Sequence, residues 1–116
     1  MKMDTDKEED ITISKESIDF SIKGISNRED NFLLLSKDKS NCLQCYCFDL
    51  ENKFYRIEKM LKNKWFVCNL STQLSTIRCF QKYAGGKEYK AIKEWELCKS
   101  PSEIKDLNEI KEELNY

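Results

Sequence analysis

The chain has 116 residues, 40% of them hydrophobic and 35% charged, with a formal net charge of −1. That is the size of one domain, and six Phe, five Tyr and two Trp supply material for a core. The absence of histidine excludes Ser-His and Cys-His nucleophiles and the common proton shuttle near neutral pH, and no apolar stretch approaches the ~20 residues of a membrane span.

Residues 1–10, MKMDTDKEED, hold five acids and two lysines. They read as a disordered acidic leader without the apolar h-region of a secretory signal. Residues 11–98 read as the folded domain and carry a net +4, whereas residues 99–116 carry −2. Ile18, Phe20 and Ile22 alternate with polar residues, the period of a first strand, and Gly24 leads into a polar turn at 26–31. Phe32-Leu33-Leu34-Leu35 reads as a second strand and 36–41 as another turn. Cys42 to Phe48 reads as a third strand, with Leu43, Cys45 and Cys47 on one face and Gln44, Tyr46 and Phe48 on the other.

Leu50, Phe54, Ile57 and Leu61 are spaced four, three and four, which predicts a helix over about 50–62. Asp49 is its candidate N-cap and Asn63 its stop. Trp65–Leu70 and Thr76–Phe80 read as strand. Ala84-Gly85-Gly86 reads as a hairpin turn into a last strand, Tyr89–Leu97. Ser100-Pro101 opens a terminal amphipathic helix with an apolar stripe at Ile104, Leu107, Ile110 and Leu114.

Five strands with a helix between the third and fourth give a β-rich fold, in the order of an OB-fold barrel. The stretches FSIKGISNREDNFLLLSKD, NCLQCYCFDLENKFYRIEKMLKNKWFVCNL and KEYKAIKEWELC resemble the OB module shared by replication protein A, the telomeric CST complex and some tRNA synthetases. Gly24 stands at the first-strand glycine of that module. Asn63 and Asn69 replace its usual glycines, and residues 71–83 are longer than its pattern. In complexes of the replication-protein-A kind each core OB domain is followed by an amphipathic helix, and these helices pack together. The resemblance therefore implies a nuclear, non-catalytic subunit of a single-stranded-DNA-binding complex. It implies assembly with other OB-fold subunits through Ile104, Leu107, Ile110 and Leu114. A protein-binding adaptor without nucleic-acid contact is the alternative.

Single strands are bound by stacking bases on aromatics while Lys and Arg track phosphates. The candidates are Lys23, Arg28, Lys37, Lys39, Tyr46, Arg78, Lys82, Tyr83 and Lys87, against the bland reading of solvated lysines and a packed Tyr46. With only about four excess charges in the body, the isolated chain is expected to bind single-stranded DNA weakly. Cys42, Cys45 and Cys47 invite zinc, but on a strand Cys42 points away from the other two. Core thiols and no metal or other cofactor are expected. Gly85-Gly86 is not a phosphate-binding loop.

Overall fold

The computed structural model describes residues 1–90 and the backbone of 96–98. In chain order the elements are β1 (Lys2–Thr5), α1 (Lys15–Ser26), β2 (Leu33–Asp38), β3 (Asn41–Asp49), β4 (Phe54–Leu61), β5 (Lys64–Thr72), α2 (Gln73–Ala84) and β6 (Glu96–Cys98). The strands form one antiparallel sheet in the order β1-β2-β3-β4-β5-β6. It is a meander, and among the described residues it does not close into a barrel.

The predicted first strand is helix α1. Ser14 and Ser17 cap it reciprocally: the Ser14 hydroxyl accepts from the Ser17 amide and the Ser17 hydroxyl from the Ser14 amide. This satisfies donors that a helix start leaves unpaired. Ile18, Ile22 and Ile25, spaced four and three, are buried, while Phe20 is 72% exposed. A two-residue period would bury Phe20 beside Ile18 and Ile22; the helix turns it outward. Gly24 therefore lies inside a helix, where its carbonyl accepts from the Glu29 amide at 2.9 Å, and is not a strand terminus.

The predicted helix over 50–62 is strand β4. Tyr55 and Ile57 face the core with no exposure, a period of two. A two-residue loop fixes the strand. Leu61 pairs with Lys64, and Lys62 and Asn63 between them take φ of 50° and 66°. Both values lie in the left-handed region that the tight hairpin turn demands and that suits the right-handed twist of paired strands. Asn63 is a turn residue rather than a helix stop. Asp49 caps no helix; its carboxylate accepts from the amide and side chain of Asn52 in the β3–β4 turn.

The predicted strand at 76–80 is helix α2. The Thr72 hydroxyl caps it by accepting from the Ser75 amide. Ile77 and Phe80 are buried three apart. Gly85 and Gly86 terminate this helix instead of turning a hairpin, and Gly86 takes the positive φ of 75° that often ends a helix. The predicted acidic leader is also corrected. Residues 2–5 add the edge strand β1, and Met3 is fully buried against Leu35, so the folded unit starts before residue 11. The strands expected at Phe32–Leu35, Cys42–Phe48 and Trp65–Leu70 are present as the longer β2, β3 and β5, and the turn expected over 36–41 shrinks to Lys39 and Ser40, because Ser36–Asp38 extend β2 and Asn41 opens β3.

Both helices cover one face of the sheet. They run antiparallel, because Gln73 at the start of α2 donates to Ser26 at the end of α1, and Gln81 donates to the Lys15 carbonyl. The Tyr55 hydroxyl rises from β4 and donates to the Ile22 carbonyl at 2.7 Å. Met3, Leu33, Leu35, Leu43, Cys45, Tyr55 and Ile57 meet Ile18, Ile22, Ile25, Ile77 and Phe80 in the core. Cys42 lies on the opposite face from Cys45, as the alternation predicts. No group of three or more Cys, Asp or Glu side chains is placed to hold a metal among the described residues.

Burial pushes the Cys45 thiol well above its ordinary range and the Cys79 thiol up to about 12. Thiolate is the reactive form. Iodoacetamide mapped by mass spectrometry is therefore expected to label Cys45 and Cys79 only after unfolding. Labelling of either in the native chain, at the rate of an exposed thiol, would contradict this packing.

Candidate nucleic-acid interface

Helix α2 directs its exposed side outward from the core face, and its last turn ends beside the β2–β3 hairpin. Two cavities open there. One, of about 360 Å³, is lined by Lys15, Arg78, Gln81, Lys82, Gly85, Lys87 and Tyr89. The other, of about 240 Å³, is lined by Lys37, Leu43, Lys59, Leu61, Cys79, Tyr83, Gly86, Lys87, Glu88 and Tyr89. Six cations thus line the two cavities against one carboxylate, Glu88. Such a concentration attracts anions even on a chain of near-zero net charge.

Five of the nine expected contact residues come together here: Lys37, Arg78, Lys82, Tyr83 and Lys87. Tyr83 differs from its expected part. The Lys37 ammonium lies 4.5 Å from its ring centroid, a cation–π contact that occupies one ring face. Its hydroxyl is buried without a hydrogen-bond partner among the described residues, and burial pushes it up to about 12. Tyr83 is a wall that holds Lys37, not an open stacking platform.

The other four lie elsewhere. Lys23 is on α1, ion-paired with Asp19 at 3.0 Å. Arg28 follows α1 with φ of 63°, at the opposite end of the helix pair. Lys39 sits in the β2–β3 turn, two residues beyond Lys37, and lines neither cavity. Tyr46 is half-buried on the sheet face away from the helices, opposite Arg56 in the ladder. The stripe Ile104, Leu107, Ile110 and Leu114 lies outside the described residues.

Lys15, Lys59 and Tyr89 are cavity residues that the sequence reading passed over. Lys59, as part of β4, faces the helix side and lies 5.8 Å from the Phe66 ring centroid; a helix over 50–62 would instead set it off the Leu50, Phe54, Ile57 and Leu61 stripe. Nothing in the sequence around Lys15 marks it. Tyr89 begins the predicted last strand but lies in a loop, and its neighbours Lys87 and Lys90 beside a Gly-Gly pair are the readable sign of that basic, aromatic loop.

The second sheet face holds a different cluster. Arg56 and Glu58, two apart on β4, are 1% and 2% exposed. Their Nε and Oε2 atoms are 3.4 Å apart. Gln44, directly opposite Glu58 in the ladder, donates to Oε1 at 2.7 Å. Arg56 Nη1 donates to Asn69 at 3.0 Å. A bulge aligns this last pair: one residue on β4, Arg56, stands against two on β5 between the pairs Tyr55–Ser71 and Ile57–Cys68, the two-against-one count of a β-bulge. The groove beside it, lined by Phe32, Gln44, Tyr46 and Glu58 among others, brings no basic residue of the expected set near Tyr46.

Compared with protein-family models, curated proteins and solved structures, the chain matches none.

Proposed function

We propose that this protein is a non-catalytic binding subunit that contacts single-stranded nucleic acid at the C-terminal end of α2. The observation that carries the reading is the gathering of Lys15, Lys37, Lys59, Arg78, Lys82 and Lys87 around Tyr83 and Tyr89. Phosphates meet cations there, and bases meet aromatic and apolar surface, the two halves of single-strand recognition. A binding role also accords with a chain that lacks histidine and whose core thiols are held protonated by burial. The larger setting is part of the same proposal. It is a nuclear complex of the replication-protein-A or telomere-associated kind, entered through Ile104, Leu107, Ile110 and Leu114. That setting rests on the sequence resemblance, since the described strands form an open meander.

Fluorescence anisotropy of a labelled dT12 oligonucleotide tests the reading. A Kd of about 10⁻⁵ M is expected at low salt, with log K falling against log salt by roughly 0.7 for each phosphate neutralised, about −3 to −4 in all. No binding from 20 to 150 mM salt, by the chain alone and with its co-purified partners, would favour the protein-binding adaptor instead.

A further inference from the structure

The two cavities share Lys87 and Tyr89 but differ in kind. The larger is edged by Lys15, Arg78 and Lys82, groups suited to an anionic backbone. The smaller has an apolar floor, Leu43 and Cys79, with Leu61 at its rim and the Tyr83 and Tyr89 rings beside it. Lys37, Lys59 and Lys87 also line it, so phosphates are met by cations here as well. The apolar floor offers a phosphate no partner but gives a flat heteroaromatic ring a surface to lie on. At about 240 Å³ the pocket falls below the ~300–1,000 Å³ usual for small-molecule sites, which suits one base and not a stack. Lys37 occupies a face of Tyr83, so Tyr89, common to both cavities, is the ring placed to stack.

We infer that this pocket captures one unstacked base per chain, while the groove beside it holds the adjoining phosphates. The inference rests on the single-strand reading above and adds a division of labour to it. Stacking contacts tolerate any base, since every base has a π-face. The pocket therefore selects for the presence of a base, and the groove sets the salt dependence.

Three labelled 12-mers separate the possibilities: dT12, an all-abasic strand of the same length, and the abasic strand with one central thymine. The single thymine is expected to strengthen binding about tenfold over the abasic strand at an unchanged salt slope. Tyr89→Ala is expected to remove that gain and keep the slope. Leu61→Gln, at a rim position 46% exposed and outside the core, should do the same without risk to folding. If all three strands bind equally, the base pocket is refuted and the single-strand reading stands. If affinity climbs only with many bases, the one-base pocket is likewise refuted. If none binds, both fall together.

Discussion

Replacing Arg56 by Ala is expected to destabilise the fold by about 3–5 kcal/mol, the cost of breaking a buried ion pair from one side. Arg56 and Glu58 are almost wholly buried, and the substitution strands the Glu58 carboxylate with Gln44 as its remaining donor. The double variant Arg56→Met/Glu58→Leu removes both charges and should recover most of the loss. Chemical denaturation measures each. A loss below about 1 kcal/mol in the single variant, the scale of a surface pair, would show that this face is wet. The pH dependence carries its own sign. Burial raises the Glu58 carboxyl above its ordinary 4.5, outweighing the opposing pull of Gln44 and Arg56. The folded chain then holds this proton to higher pH than the unfolded chain. Its contribution is present below about 4.5 and is lost as pH rises through the folded value. Stability measured relative to Glu58→Gln should therefore decline as pH rises from about 4.5; a rise instead would contradict the assignment.

The largest effect on binding is expected from Arg78→Gln/Lys82→Gln/Lys87→Gln. All three positions are exposed, so the melt should be unchanged. The salt slope should become shallower by about 2, and affinity at low salt should fall by more than about tenfold. The matched control is Lys23→Gln/Arg28→Gln/Lys39→Gln, which removes as many charges from residues that line neither cavity. Less than a twofold change is expected from it. Equal losses from the two triples would mean that diffuse charge, not the α2 end, attracts the nucleic acid.

What was legible in the sequence follows from where two periods coincide. Phe32–Leu35 and Cys42–Phe48 are too short and too apolar to suit anything but strands, and all but Phe32 lie in strands. Ile18 and Ile22 are both an even number and four residues apart, so they satisfy either period. Only Ile25 and the Ser14–Ser17 cap decide for helix. Phe54, Ile57 and Leu61 carry a genuine helical spacing, but tertiary pairing overrides it. The Lys62-Asn63 turn and cross-strand partners such as Cys45–Ile57 recruit the segment into the sheet, and Tyr55 becomes its main core residue. Lys-Asn is a weak turn signal beside Asn-Gly, and in sequence it looks equally like a helix end. Five of nine contact residues gather despite these errors, because Arg78, Lys82, Tyr83 and Lys87 are close in sequence and stay together whether helical or extended. Lys59 and Lys15 join them only through the fold.

The most direct test of the central claim is a ¹H–¹⁵N correlation titration of the full chain with dT12 at low salt. The largest shifts are expected at Lys37, Lys59, Arg78, Lys82, Lys87 and Tyr89, with Lys23, Arg28 and Tyr46 unmoved. Shifts centred on Tyr46 and the Arg56–Glu58 face, with the end of α2 silent, would contradict it.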